Sequence, residues 1–371
     1  MRPLDELTMY ICNEYQKKAA NMSASPDTLV TGASGLIGRW LVPLLTRRGH
    51  TVLVPLRGAR ARAAEYLAWT AGHGGDTERL VFDELDLSRD DLGLTTSVAG
   101  IRDVFHLAGR YQFGMSVEEA RSTNVEGSLR ALRLAAQAPQ LRRFTSIGGY
   151  RVADPRALRA AGEITSDEAA RRRLYKRLGA YEASKVEENV ALRAEARRLA
   201  VPISVVNPST VIGDSGTGET TQFIGLTEAI RDLAKGALPA LVEPMAFVPV
   251  VTVDYLAQLL AGVPEHADGP ETSYWVLDEK TPLMGDLLRH VARRLGVKVP
   301  RLTLPVRLVA ALPRALTRVE PETLSFLSTD TYDTAGADAL ARKLSLTAPD
   351  TLRALDRWVD FLVSVDFGRR G

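Results

Sequence analysis

The chain is short of several things, and each shortage excludes something. Its 371 residues include one cysteine, Cys12, so no disulfide framework exists and a reducing, cytoplasmic setting is expected. Lysine and arginine outnumber aspartate and glutamate by 47 to 45, which is too little excess to argue for a nucleic-acid partner. No apolar run approaches the roughly 20 residues that span a bilayer. The first residues carry Asp5, Glu6 and Glu14 and lack an uninterrupted apolar stretch, so they do not read as a secretory signal. No internal repeat or low-complexity tract interrupts the chain, and no metal site is expected. What the chain does have is 45% apolar residues, enough for one large core or two interleaved ones.

Leu4, Leu7 and Ile11 fall at helical spacing, so residues 1–26 are read as an extension with a short amphipathic helix. Such a helix either packs on the body or docks a partner. From Thr28 the chain alternates. β-rich apolar runs at 28–31, 51–56, 79–83, 101–107, 143–147 and 201–206 are separated by helical patterns. That alternation predicts an α/β fold, a doubly wound parallel sheet with helices on both faces. Ligands of such sheets sit at the carboxyl ends of the strands. Beyond residue 212 the pattern loosens. Residues 213–371 are read as a smaller substrate-binding lobe, with 246–260 and 273–278 returning to the main domain, 27–212.

The first strand runs into TLVTGASGLIGRW, with glycines at 32, 35 and 38. Leu36, Ile37, Trp40, Leu41, Leu44 and Leu45 then form an apolar helical stripe, and Gly49 ends it. A glycine turn between strand and helix leaves backbone N–H groups and a helix dipole aimed at an anion. The spacing is G-x-x-G-x-x-G rather than G-x-G-x-x-G. The alternative is a plain tight turn, but the strand–turn–helix setting favours a Rossmann-type dinucleotide site. Pro43 stands inside the helix, where it costs about 3 kcal/mol unless something absorbs it. The second strand ends at Leu56, and Arg57, Arg60 and Arg62 follow with no acid among them. A guanidinium suits a 2′-phosphate, so NADP(H) is expected rather than NAD(H). The bland alternative is a solvated basic helix start.

The second chemical feature is YEASK, Tyr181 to Lys185. Four-residue spacing puts both side chains on one helix face. An ammonium beside a phenol lowers its pKa from about 10, making it a usable proton donor to a carbonyl under reduction. Strand 143–147 brings Ser146 to the ligand edge, where its hydroxyl can polarise a substrate oxygen. Thr145 is its rival, because pleat alternation lets only one of them face the site.

Assembled, these residues resemble the extended short-chain dehydrogenase/reductase family over roughly residues 28–277. The resemblance rests on TGASGLIG, DELDL, VFHLAG, NVEGS, FTSIGGY, YEASK and NPSTVIGDSGTGE. The VFHLAG, NVEG and VIGDSGTGE runs are most like its thioester-reductase and fatty-acyl-reductase-like branch. The resemblance implies roles. Gly32, Ser34, Gly35, Leu36, Ile37 and Gly38 would carry the pyrophosphate. Asp86 and Leu87 would flank the adenine. Leu107, Ala108 and Gly109 would line the ribose path, and Pro208 and Ser209 would approach the nicotinamide. Tyr181 would be the acid/base, Lys185 would bind the ribose and tune Tyr181, and Ser146 would polarise the carbonyl. Asp86 has a bland reading as a strand-end turn or helix cap, and His106 reads as a packed strand residue. Two positions depart from the family pattern. Ile147 stands where many relatives have a second hydroxyl, and Asn207 where many have arginine.

The expected activity is NADPH-dependent reduction of an acyl thioester, aldehyde or ketone. Two alternatives stand beside it: a nucleotide-sugar epimerase or dehydratase with tightly held NAD, and a non-catalytic NADP-binding regulator. Arg171, Arg172, Arg173, Lys176 and Arg177 read either as a solvated helix face or as a collar for coenzyme A or an acyl-carrier protein. A homodimer through two helices of the sheet layer is implied by the resemblance alone.

Overall fold

The structure, a computed structural model, describes residues 25–112, 114–150, 167–311, 324 and 327–369. The helix expected near the N-terminus and the first part of the arginine-rich stretch, residues 156–166, lie outside these.

Seven parallel strands form the main sheet: β1 (Thr28–Thr31), β2 (Val52–Leu56), β3 (Leu80–Glu84), β4 (Asp103–His106), β5 (Arg143–Ile147), β6 (Ile203–Pro208) and β10 (Glu271–Val276). Their order across the sheet is β3-β2-β1-β4-β5-β6-β10. Winding therefore reverses between β1 and β4, and the crevice for a ligand opens there. All residues of β1, β2, β4 and β6 are buried, as expected when helices cover both faces. Successive side chains serve opposite cores. Val30, Val54, Phe105 and Val206 pack under helices α1 (Leu36–Arg47), α2 (Ala59–Gly72) and α8 (Val253–His266). Leu29, Leu53, Val104 and Val205 pack under α4 (Gly127–Ala135) and α6 (Ala180–Leu199).

The segment 246–251 takes a different course from β10. Its strand β9 (Val250–Thr252) pairs with β7 (Thr210–Ile212) in a separate two-stranded sheet, while the helix after it, α8, packs on α1. A third core lies beyond the sheet. It joins Ile230 and Leu233 of α7 (Leu226–Ala234), Leu287 and Val291 of α9 (Met284–Leu295), and Leu355, Trp358 and Leu362 of α12 (Thr351–Ser364).

Pro43 is accommodated without breaking α1. Lacking an N–H, it leaves the carbonyl of Arg39, four residues earlier, without its helical donor. The indole N–H of Trp69, on α2, donates to that oxygen at 2.8 Å. A tertiary hydrogen bond thus replaces the missing one. Trp69 also stacks under the Arg39 guanidinium, 4.8 Å from ring centroid to Cζ, and Arg39 pairs with Glu65.

Candidate active site

The glycine turn is fixed by close approach. Gly32 has φ +73°, and a Cβ there would lie 2.5 Å from the Ala108 nitrogen in the loop after β4. A Cβ on Gly38 would lie 2.5 Å from the Ala33 Cα. The first and third glycines therefore bring backbone against backbone. Gly35 differs: it is exposed and caps α1 with extended geometry, so the free N–H groups of the first turn face the cleft.

That cleft is one end of a cavity of about 470 Å³. Gly32, Gly35, Leu36, Ile37 and Gly38 line this end, followed by Leu107, Ala108 and Gly109, then Pro208 and Ser209. The Ser209 hydroxyl is buried and without a protein partner, a polar group fitted to a ligand. Tyr181 and Lys185 stand in the middle of the wall. The far end is apolar and is built from distant segments, with Leu226, Ala229, Val242, Val248, Met284 and Leu288 among its lining.

Tyr181 sits in the first turn of α6, its ring edge-on to Tyr111 with centroids 4.8 Å apart. One turn on, the Lys185 ammonium donates to the Ile147 carbonyl at 2.8 Å. Ser146 is 1% exposed and lies behind the wall, whereas Ile147 is on it. Thr145 is fully buried too, its hydroxyl without a partner. A six-residue π turn, Arg121–Glu126, precedes α4 and carries Asn124 to the cavity. Its amide accepts from the Arg110 N–H at 2.8 Å and donates to the Ser184 hydroxyl at 3.0 Å. Single π turns of this kind recur at functional sites. His106 is 1% exposed, holding Thr31 and Ser128 hydroxyls at 2.8 Å on its two ring nitrogens. Burial pushes its pKa down to about 3, so it is a neutral packed residue.

The other residues singled out from the sequence lie off the cavity. Asp86 is exposed and closes a strand-end turn, bonding the Ser88 N–H at 2.9 Å and its hydroxyl at 2.6 Å. Those bonds hold its carboxyl below the usual range. Leu87 packs against Gly127. The Ser34 carbonyl accepts from Arg39 at 3.3 Å. Arg57 is exposed at the end of β2. Beside it is an acid that sequence distance concealed. Glu84, at the end of β3, accepts from the N–H groups of Gly58 at 2.5 Å and Ala59 at 3.1 Å, at the start of α2. Three further residues escaped the sequence reading: Asn124, Tyr111 and Glu188. Asn124 left a signal as the first residue of the NVEGS run, and Glu188 as an acid three residues after Lys185 on the same helix face.

Fold, glycine turn and the Tyr181–Lys185 wall together define a dinucleotide-binding protein of the extended short-chain dehydrogenase/reductase class, a class of NAD(P)-dependent oxidoreductases. The profile of the NAD-binding family described as Male sterility protein matches residues 30–260, and the chain belongs to that family. Peramine synthetase A of Epichloe festucae is 29% identical over 247 residues, 58% of this chain but 9% of that protein. Dihydroflavonol 4-reductase of Hordeum vulgare is 35% identical over 126 residues, 33% of this chain and 34% of that one. The chain thus matches about a third or less of either relative. The terminal R domain of the myxalamid PKS-NRPS pathway has the same fold, with a TM-score of 0.73 at 17% identity, covering 96% of this chain and 98% of that one. Among the described residues no helix is long and apolar enough to cross a membrane.

Proposed function

We propose that this protein is an NADPH-dependent reductase of a carbonyl compound with an apolar body: an acyl thioester, an aldehyde or a ketone. The observation that carries the reading is the single cavity in which Tyr181 and Lys185 stand between a glycine-lined cleft and an apolar chamber. The cleft fits a dinucleotide through the exposed Gly35, the N–H groups of the first turn of α1, and the unpartnered Ser209 hydroxyl. When bound, NADPH supplies the hydride that adds to the carbonyl carbon. Tyr181 gives its proton to the developing alkoxide, and Lys185 holds the phenol acidic enough to do so. With a thioester the product is a hemithioacetal, which collapses to aldehyde and thiol.

The preference for NADPH rests on Arg57 and Arg60, both exposed beside the α2 N-terminus. Their guanidinium groups suit a 2′-phosphate. Glu84 opposes them, because its carboxylate holds the same N–H groups. A carrier-bound substrate is supported by the similarity to Peramine synthetase A and by the fold shared with the myxalamid terminal R domain. It is supported also by helix α5 (Glu168–Leu178), where Arg172, Arg173, Lys176 and Arg177 are exposed. Against the nucleotide-sugar alternative, the cavity lining from positions 222–249 and 284–288 contains no lysine or arginine among the described residues; Arg110, beside Gly109, and Lys185 are the cations on the wall. The test is oxidation of NADPH and NADH over a panel of free aldehydes, ketones, acyl thioesters and a carrier-bound acyl thioester. Turnover with NADPH and an apolar carbonyl substrate is expected. Bound NAD on the purified protein and no turnover with NADPH would point to the epimerase chemistry instead.

A further inference from the structure

Beneath the cavity floor lies a charge that the proposed reduction leaves unassigned. Glu188 is 3% exposed, on the inward face of α6 one turn beyond Lys185. Its Oε2 lies 2.5 Å from the Lys185 Nζ, a charge contact rather than a well-angled hydrogen bond. Its Oε1 accepts from the Ser128 hydroxyl at 2.8 Å. Ser146 stands near the same carboxyl and favours its charged form. Ser128 in turn touches His106 at 2.8 Å. The titratable groups facing Glu188 are therefore Lys185 from its own helix and neutral His106 from β4. Burial pushes the Glu188 carboxyl up, and Lys185, Ser128 and Ser146 oppose that push.

A buried carboxylate is stable only when paired and hydrogen-bonded, and this one has both. The same holds for the ammonium, whose other protein partner is the Ile147 carbonyl. One lysine thus holds a buried anion beneath the wall that it shares with Tyr181.

We infer that Glu188 is the buried counter-ion of Lys185 and a positioning residue of the proposed reduction, setting the pH above which Tyr181 loses its proton. Two helical turns, about 10 Å along the axis, separate it from Tyr181, so its field reaches the phenol. Removing a buried negative charge makes neighbouring protons easier to lose. Through an interior of effective dielectric near 20, the shift is about one pH unit at that distance.

The inference rests on Tyr181 and Lys185 acting as proposed, so two variants are compared. Loss of reduction in Tyr181→Phe tests the parent reading. Glu188→Gln keeps the shape and hydrogen-bonding of the side chain and removes only its charge. The basic limb of its kcat/KM profile for carbonyl reduction is expected to move down by about one pH unit, while Glu188→Asp keeps the limb in place. An unmoved limb in folded Glu188→Gln, or equal shifts in Gln and Asp, overturns the inference even when Tyr181→Phe is inactive. If Glu188→Gln does not fold, isotope-edited infrared spectroscopy of the wild-type protein at neutral pH decides: a carboxylate signature supports the counter-ion, and a protonated carboxyl overturns it.

Discussion

The two ends of the cavity are built by different means. The nucleotide end is made mostly of backbone: a strand end, a turn whose first and third glycines would bring an added Cβ within 2.5 Å of neighbouring main chain, and a helix N-terminus. The chamber end is made of side chains from α7, β8 (Leu241–Val242), the segment before β9, and α9. Backbone sites demand particular residues at fixed spacing, because only glycine tolerates the approach. Side-chain walls demand only volume and apolarity, which many residues supply. One end is therefore narrowly constrained and the other is free to vary with the substrate.

That contrast can be broken at its centre first. Tyr181→Phe keeps both ends intact and removes the proton donor. A loss of about 10²- to 10⁴-fold in kcat is expected, with NADPH affinity unchanged by titration of protein fluorescence. Next comes the nucleotide end. Gly32→Ala meets both a positive φ and a backbone clash. It is expected to cost about 3 kcal/mol or more of stability, read as a large fall in urea midpoint, and to abolish cofactor binding. At the chamber end, Ala229→Phe should raise KM for a bulky apolar substrate about 10-fold. Small aldehydes and NADPH affinity should be unaffected, and an equal rise for small substrates would contradict the chamber's assignment. The smallest effect belongs to the scaffold under the turn. Trp69→Phe leaves the Arg39 carbonyl without a donor and should cost about 1–3 kcal/mol, seen as a lowered Tm.

The same contrast explains what the sequence discloses. Strands β1 to β6 and the glycine turn are legible because their periodicity and spacing are local. The Tyr181–Lys185 pair is legible for the same reason, both residues lying on one helix face. The strand at 271–276 shows as the short run around YWVL, yet its place beside β6 depends on packing across more than 60 residues of intervening chain. Glu84 was hidden by distance: it is 27 positions from Arg57 in sequence but hydrogen-bonds to Gly58, the next residue. The chamber was illegible, since Ala229, Val242 and Met284 share no spacing. Ser146 illustrates a subtler limit. Strand alternation correctly gives Thr145 and Ser146 opposite faces, but neither side chain reaches the cavity wall, because Ile147 ends the strand there.

The seventh strand also bears on how the protein is made. Until residues 271–276 emerge, β6 is the edge of an unfinished parallel sheet, an apolar ISVVNP segment with unpaired main-chain groups. Such edges recruit other strands, and parallel pairing between distant segments is slow to form. Synthesis from Pro208 to Glu271 takes roughly 3–13 s at usual elongation rates. Within that interval the edge is open to chaperones or to another nascent chain. Cutting the protein after β6 should therefore yield an aggregating fragment rather than a free-standing nucleotide-binding unit, measurable by sedimentation of the truncated chain.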